Sequence, residues 1–448
     1  VHTFFSSRFP PRVRNDYSEV VRLVDYLGAT TSPRTPIFVA SSSGWLNDDL
    51  LFKAEQALYG PEHSTLNILF SPHIDSRDYY PLEGLLRSDY VAIAEPFQYH
   101  QSVEEQDVVK VVVDAFAENW EIARDFTRLP PQFSLGNGVT VNIYQRIHPT
   151  TLATALRTYA AMQDYVGARP GNQPDWIIFS EFVPSSITKS QDSTYRIWTH
   201  ASNKAEGPQS MFLYMGELPA QGEVTGTLIF QDDKCVGVSV GIGLLDAQSK
   251  IIELVEQSIR PDANSINFTL PFHNSQASSL YLYVSNVGDE PIYNCTVAIE
   301  QLSPKETVAK ELSLALSEWQ YSGLELVNTD PSQYELRVTG EDPISRSPVL
   351  NLPAEDYNYL IVKVILSPPI ECKILTFYFT TNGAPTESEL RSIYIPYNPS
   401  PISQNYVFPV YLHPEWRGLI STIRLDPVCG LNSDGSEVKF QIESVTLH

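Results

Sequence analysis

The spacing of apolar residues changes at one short segment, and this change limits the possible folds more than any other feature of the sequence. Before residues 167–175 (GARPGNQPD), apolar stretches of strand length alternate with amphipathic helical stretches. After this segment, short stretches with a period of two follow one another almost to the end of the chain. Glycine and proline interrupt regular structure, so the segment predicts a linker between an α/β region and an all-β region.

Residues 1–168 are predicted to form an α/β domain. The sequence YSEVVRLVDYLG at 17–28 carries a helical apolar stripe that ends at Gly28. Strands that alternate with helices predict a mainly parallel sheet with helices on both faces. The predicted strands are 36–42, 66–70 and 90–96, the predicted helices are about 46–58, 102–120 and 150–166, and FSL and VTVNIYQR form a hairpin across the glycines of GNG at 136–138.

Residues 176–302 and 318–448 are each predicted to form a β-sandwich with jelly-roll-like topology, joined by a polar or helical segment. The fold class is therefore a multidomain chain, α/β followed by all-β. Cys235 and Cys295 lie in the first sandwich, and Cys372 and Cys429 lie in the second. This distribution permits one disulfide in each sandwich in an oxidising compartment, while four buried free thiols are at least as compatible with it.

The charge of the chain excludes some classes of partner. The formal net charge is −23, which disfavours nucleic acids and anionic membrane surfaces, because binding to either requires positive charge. The longest apolar run, at 359–366, is too short to span a bilayer and contains Lys363. A sequence that begins at Val1 is expected to be a mature or trimmed fragment.

Polar residues follow the first three predicted strands and form the candidate ligand-binding site. The loops at the carboxyl ends of parallel strands meet at one edge of the sheet, where ligands bind in open α/β folds. The side chains expected to converge there are Ser42, Ser43, Asn47, Asp75, Arg77, Asp78, Gln98 and His100. They could bind a sugar or a sugar phosphate, or they could serve only as helix caps and ion pairs. No nucleophile elbow, P-loop, dinucleotide-binding glycine motif or HExxH motif is present, so no catalytic residue is assigned.

The stretch WRGLISTIRLDP at 416–427 offers a second, weaker candidate. Trp416 could stack against a sugar ring if it were exposed, or it could fill the end of the sandwich. Ile423 and Leu425 fall on one face of the predicted strand, and Arg424 and Asp426 fall on the other. The structural role is favoured for all of these residues. No cofactor is predicted, although Asp232 and Asp233 are candidates for a structural calcium site.

Three segments of the first third of the chain resemble a known family. They are IFVASSSGWLNDDLL, PHIDSRDYYPLEGLLRSDYVAIAEPFQYHQSVEEQDVV and DFTRLPPQFSLGNGVTVNIYQR. They resemble the soluble C-terminal region of bacterial family 39-type membrane glycosyltransferases, relatives of the dolichyl-phosphate-mannose protein mannosyltransferases. In the last third, GEDPISRSPVLNLPAEDYNYLIVKV and WRGLISTIRLDP resemble jelly-roll modules appended to surface-polysaccharide glycosyltransferases, which are similar in fold to carbohydrate-binding modules.

The resemblance implies a non-catalytic, extracytoplasmic portion of a membrane glycosyltransferase in cell-surface glycan assembly. Such a portion would bind or orient an acceptor glycan or a polyprenyl-phosphate-sugar headgroup, and it would be tethered to the membrane-embedded helices of the same protein. The catalytic residues of the family lie in a membrane region that this sequence does not contain, so none is transferred to this chain. A stand-alone enzyme with a site in the α/β strand-end cleft and a structural cell-surface interaction module remain alternatives.

Overall fold

The fold is seen in a computed structural model, in which the chain divides into two compact units, Val1–Asp175 and Trp176–His448. The described residues are 14–72, 78–98, 106–167, 170–180, 185–189, 195–201, 210–231, 235, 237–261, 263–273, 276–286, 295–307, 311–330, 333–367, 370–371, 374–397 and 400–448. Each unit is taken by itself below.

The first unit contains five α-helices and five strands within its described residues. The helices are α1 (Tyr17–Thr30), α2 (Asp48–Tyr59), α3 (Leu82–Arg87), α4 (Asp107–Ala117) and α5 (Leu152–Val166). The strands are β1 (Pro36–Ala40), β2 (Asn67–Leu69), β3 (Tyr90–Glu95), β4 (Phe126–Ser134) and β5 (Thr140–Arg146).

The sheet of this unit is mixed, with the strand order β2-β1-β3-β5-β4. β1 pairs in parallel with β2 and β3, whereas β5 pairs in antiparallel fashion with β3 and β4. The prediction of a mainly parallel sheet is therefore not confirmed. The predicted hairpin is present, with Asn137 and Gly138 at positive φ angles in its turn, and the difference arises because its second strand, β5, joins β3 in antiparallel fashion.

Helices cover this sheet because each carries an apolar stripe. The buried residues of α1, such as Leu23 and Leu27, pack in one cluster with Ile37 and Val39 of β1. The α4 helix is buried along most of its length and begins at Asp107, after Gln106. The predicted start of this helix at residue 102 lies outside the described residues. The six-residue α3 was not predicted, because it is too short to show a helical period.

The second unit is almost entirely β-structure. Its strands are β6 (Trp176–Ser180), β7 (Ser185–Lys189), β8 (Tyr195–His200), β9 (Met211–Tyr214), β10 (Gln221–Phe230), β11 (Val238–Leu245), β12 (Ile251–Ile259), β13 (Ser265–His273), β14 (Ser279–Asn286), β15 (Thr296–Glu306), β16 (Leu312–Ser313), β17 (Gln320–Ser322), β18 (Leu324–Asp330), β19 (Gln333–Val338), β20 (Ile344–Arg346), β21 (Leu352–Pro353), β22 (Leu360–Leu366), β23 (Ile374–Thr381), β24 (Ser392–Pro396), β25 (Ser400–Phe408), β26 (Leu419–Asp426) and β27 (Lys439–Leu447).

Two sandwiches share one long sheet in this unit. The long sheet has the path β18-β19-β27-β22-β25-β12-β11-β14-β9-β6, and β16 pairs with β27. Its β12–β6 half packs against the sheet β13-β10-β15-β8-β7, and the apolar residues of both sheets form one core. Its other half packs against the sheet β17-β20-β26-β23-β24, which β21 joins through β26, and these sheets form a second core.

The first sandwich contains the disulfide Cys235–Cys295, which joins residues 60 positions apart in sequence. Cys429 in the second sandwich is also disulfide-bonded, and Cys372 lies outside the described residues. Cys235, Cys295 and Cys429 are therefore disulfide-bonded, and they are not the free thiols that the sequence also permitted.

The two sandwiches are joined by a short parallel contact between β12 and β25, in which Val255 is paired with Asn405. Ile361 of β22 and Val407 of β25 belong to the core of the first sandwich, although both strands belong to the second. Both predicted sandwich ranges, 176–302 and 318–448, thus lie in one compact unit. In the part of the chain that the structure describes, no helix is long and apolar enough to cross a membrane.

Candidate functional site

The predicted strand-end residues Ser43 and Asn47 build a local turn after β1. The Ser43 hydroxyl accepts hydrogen bonds from the backbone N–H groups of Trp45 and Leu46, and the Asn47 amide donates to the Ser43 carbonyl at 2.9 Å. Asn47 Oδ1 accepts from the backbone N–H of Leu50 at 2.6 Å, which caps α2. Both side chains therefore have a structural task in this loop.

The remaining predicted residues are not brought together by the described contacts. Asp78 accepts a hydrogen bond from the Asn172 side chain, and the half-buried Gln98 donates to the carbonyl of Pro96 at 2.8 Å. Ser42 follows β1, beside the turn. Asp75, Arg77 and His100 lie outside the described residues, so a common pocket at these strand ends stays a prediction.

The candidate calcium ligands Asp232 and Asp233 also lie outside the described residues. Within the described ranges, no group of three or more His, Cys, Asp or Glu side chains could hold a metal ion.

Trp416 does not present a ring to a ligand. Its side chain is 8% exposed and packs edge-to-face against Phe379, with ring centroids 5.0 Å apart. Its indole Nε1 donates to the carbonyls of Ala354 and Tyr357 at 3.0 and 3.1 Å. The sugar-stacking role considered for Trp416 is thus corrected, because stacking requires an accessible ring face and this ring belongs to the second core.

The outer face of the same small sheet carries a different set of side chains, called the tyrosine face here. Strand alternation places Phe377, Leu425 and Ile423 in the core and points their neighbours outwards. The outward residues that define the tyrosine face are Arg346 on β20, Arg424 and Asp426 on β26, Thr376 and Tyr378 on β23, and Tyr394 on β24.

The register of the strands arranges these side chains in two adjacent rows. Arg346 is paired with Arg424, and Arg424 is paired with Tyr378. In the next row, Asp426 is paired with Thr376 and Thr376 is paired with Tyr394. Directly opposed side chains on a sheet lie about 5 Å apart at Cβ, so each row spans its strands without a gap.

Ion pairs fix the arginines of the tyrosine face. Arg424 binds both carboxylate oxygens of Asp426, with Nε–Oδ1 and Nη2–Oδ2 distances of 2.7 Å each. Its Nη1 lies 3.0 Å from Glu387 Oε2, and Nε of Arg346 lies 2.7 Å from Oε1 of the same carboxylate. Bidentate and shared carboxylates hold planar guanidinium groups in one orientation, so this row is rigid before any ligand arrives.

The same contacts set the ionisation of the face. Burial favours the neutral form of Arg424, but hydrogen bonds to Asp426 and Glu387 outweigh it and raise the pKa of Arg424 above its ordinary value. Burial and a hydrogen bond to Glu389 raise the pKa of Tyr378 to about 12. Arg424 therefore stays charged and Tyr378 stays neutral throughout the physiological range of pH.

The two tyrosine rings differ in how they are held. The guanidinium carbon of Arg424 lies 4.8 Å from the centroid of Tyr378, and the guanidinium carbon of Arg260 lies 3.8 Å from the centroid of Tyr394. Tyr394 is nevertheless 47% exposed. Each ring is oriented by a cation, and the exposed part of Tyr394 provides apolar surface on an otherwise polar face.

Tyr378 and Tyr394 were not singled out from the sequence, although a signal was present. In LTFYFTT, Phe377 and Phe379 occupy alternate positions, so Tyr378 between them must point to the opposite face. In SIYIPY, Ile393 and Ile395 enclose Tyr394 in the same way. The pairing of these strands with the strand of Arg424 could not be read from this alternation.

No protein-family model and no curated protein matches this chain. Solved structures that match parts of it include carbohydrate-binding modules. The tandem CBM22-1–CBM22-2 domain of Paenibacillus barcinonensis Xyn10C is 10% identical, covers 61% of this chain and 92% of that chain, and has a TM-score of 0.22. The xylan-binding module CBM86 of Roseburia intestinalis is 12% identical over 32% of this chain and 96% of that chain, with a TM-score of 0.23. A CBM4 structure is 15% identical over 30% of this chain and 90% of that chain, with a TM-score of 0.20.

Proposed function

We propose that this chain is a non-catalytic glycan-binding protein and that the tyrosine face is its binding surface. The observation that carries the proposal is the row arrangement on the outer face of the small sheet, where two oriented tyrosine rings adjoin fixed arginine and carboxylate groups. Aromatic rings accept the C–H face of a pyranose, and charged groups that are held in place bind its hydroxyls.

Rigidity supports binding at this face. A glycan hydroxyl both donates and accepts hydrogen bonds, so it can bridge a guanidinium and a carboxylate that lie side by side, as in Arg424 and Asp426. Because these groups are already oriented by each other, little side-chain entropy is lost when a glycan binds. The open face suits an extended stretch of a chain rather than a closed, single-ring ligand.

The charge balance of the face selects among glycans. Three arginines belong to or adjoin the face, Arg346, Arg424 and Arg260. Four carboxylates accompany them: Asp342, Glu387 and Asp426 pair with the arginines, and Glu389 accepts a hydrogen bond from Tyr378. The local balance is negative, as is that of the whole chain at −23. Neutral glycans are therefore the proposed ligands, and chains rich in uronic acids are expected to bind more weakly because of like-charge repulsion.

The test is a titration of the full chain with neutral and acidic oligosaccharides, using Tyr394→Ala and Tyr378→Ala. Loss of one aromatic contact worth about 1.4 kcal/mol weakens binding about tenfold. Tyr17→Ala is the matched control, because Tyr17 is 44% exposed and lies on α1 of the first unit. Equal affinity of the wild type and both tyrosine-face variants would refute the assignment, as would a preference for acidic chains.

We further propose that the chain is the extracytoplasmic portion of a membrane glycosyltransferase and that the tyrosine face binds its acceptor glycan; a polyprenyl-phosphate-sugar headgroup is anionic and is not a proposed ligand of this face. The resemblance of the segments within residues 37–146 supports this parent protein, and the Cys235–Cys295 disulfide supports an oxidising compartment. The genomic sequence upstream of the codon for Val1 provides the test: an open reading frame without membrane-spanning segments contradicts the proposed parent. Turnover of a polyprenyl-phosphate sugar by this chain alone contradicts its non-catalytic role.

A further inference from the structure

A cleft of about 190 Å³ lies in the second unit where the two sandwiches join. Strands β12, β25, β22 and β27 of the long sheet form one side of it, and β10 and β13 of the first sandwich contribute to the other. We call it the junction cleft. It shares no residue with the tyrosine face, which lies on the small sheet of the second sandwich.

The junction cleft has a mainly polar lining over a buried apolar floor. Phe272 and Ile361 line it and are 4% and 7% exposed. Around them lie a carboxylate on β12 (Glu253), an amide on β25 (Asn405) and an ammonium on β22 (Lys363). Because Phe272 and Ile361 belong to the core of the first sandwich, a ligand in this cleft would be held mainly by the converging polar groups, which also fix its orientation.

The polar groups in the cleft alternate between donors and acceptors. Asn405 Nδ2 donates to Glu253 Oε1 at 2.9 Å, and Gln221 Nε2 donates to the Thr307 carbonyl at 2.8 Å. The hydroxyls of Ser444 and Thr446, on β27, can take either role. The best match to such a lining is a ligand whose own polar groups both donate and accept.

Charge and hydrogen-bonding capacity together narrow the class of ligand that the cleft can bind. The Lys363 ammonium lies 3.3 Å from Glu443 Oε2, so its charge is already compensated. An anionic ligand would face the carboxylates of Glu253 and Glu311, which also line the cleft. A cationic group would be attracted by the same two carboxylates, but it could not accept a hydrogen bond from the Lys363 ammonium or from the amides of Asn405 and Gln221. An uncharged ring with several hydroxyls can donate to the carboxylates and accept from the ammonium and amide groups, so it uses both kinds of lining group.

We propose that the junction cleft is a second binding site, which takes one uncharged sugar ring such as the end of a glycan chain. The hydroxyls of the ring would exchange hydrogen bonds with Glu253, Asn405 and Ser444, while the buried Phe272 and Ile361 form only the floor beneath it. This inference rests on the proposed function only for the class of ligand, because the two sites have no residue in common.

The test is calorimetric titration of the full chain with neutral monosaccharides (glucose, galactose, mannose, xylose and N-acetylglucosamine) and their oligosaccharides. Ser444→Leu fills the cleft, and Glu253→Gln removes its charge while keeping its shape. Glu318→Gln is the matched control, because Glu318 is exposed and does not line the cleft. A carboxylate hydrogen bond of ordinary strength predicts monosaccharide binding about 10- to 100-fold weaker in Glu253→Gln and none detectable in Ser444→Leu.

The outcomes separate the two proposals. Monosaccharide binding that persists in both cleft variants, or no monosaccharide binding by the wild type, overturns the cleft site. A stronger response to glucuronate or glucosamine than to glucose overturns the choice of an uncharged ligand. Loss of oligosaccharide binding in Tyr394→Ala with no effect of either cleft variant supports the tyrosine face alone. Melting temperatures equal to that of the wild type show that the substituted chains are folded, and Glu253→Gln remains informative if Ser444→Leu does not fold.

Discussion

Replacement of Trp416 tests the second core and the tyrosine face at the same time. In the structure the indole ring is buried against Phe379 and Phe377, and Nε1 bonds two backbone carbonyls. Trp416→Ala removes the ring and leaves a cavity, which typically costs about 3–5 kcal/mol. Trp416→Phe retains a ring but leaves the carbonyls of Ala354 and Tyr357 without this donor, which costs about 1–3 kcal/mol.

The assay is urea denaturation of the full chain followed by far-ultraviolet circular dichroism, with the midpoint and slope of the transition of the second unit compared among variants. The order of stability is expected to be wild type, then Trp416→Phe, then Trp416→Ala. Trp120→Ala is the control, because Trp120 is only partly buried, lies in the first unit and donates its N–H to Glu118.

Two results would refute this reasoning. A Trp416→Ala chain within about 0.5 kcal/mol of the wild type would show that the ring is not in a core. A Trp416→Phe chain that keeps its stability but loses oligosaccharide binding would show that the indole itself contacts the ligand, and would restore the stacking role.

Three further changes have defined outcomes. Asn47→Ala removes the cap of α2 and should lower the unfolding free energy of the first unit by about 1 kcal/mol in urea denaturation. Asn47→Asp keeps a side-chain acceptor at the cap and should retain most of the wild-type stability. Replacing Cys235 and Cys295 together by alanine releases a link across 60 residues and should cost about 4 kcal/mol by chain entropy, seen as a lower urea midpoint under non-reducing conditions; an unchanged midpoint would contradict this account. Burial lowers the pKa of His413, so the unfolded chain binds the proton more tightly and the folded state should lose stability as the pH falls below about 6.5; His413→Gln should flatten that part of a plot of melting temperature against pH.

Local periodicity was enough to predict much of the first unit. The apolar stripe of α1 and the alternation of β1, β2 and β3 with helices are visible in the order of residues, because each element buries a face of its own. The antiparallel pairing of β5 with β3 could not be predicted in the same way. It depends on which edge of the sheet the hairpin joins, and both edges accept the same apolar pattern.

The candidate sites were harder to predict because they depend on pairing between distant strands. Ser43 and Asn47 were selected for a ligand, yet short polar side chains after a strand also satisfy the backbone of a turn, and this is their observed role. Arg424 and Asp426 were recognised as an outward pair. Tyr378 and Tyr394 could be identified as residues of the same face only from the register of the strands in the structure.

The link between β12 and β25 bears on how such a chain can be rearranged in evolution or by engineering. Cutting the chain between the two sandwiches would leave both strands with open edges and would uncover Ile361 and Val407, which fill the core of the neighbouring sandwich. Exposed edges of this kind recruit strands from other molecules. The two sandwiches therefore cannot be exchanged independently between proteins. A recombinant that folds has to retain the β12–β25 pairing together with Ile361 and Val407, and a substitution on one side of this contact is expected to require a matching substitution on the other.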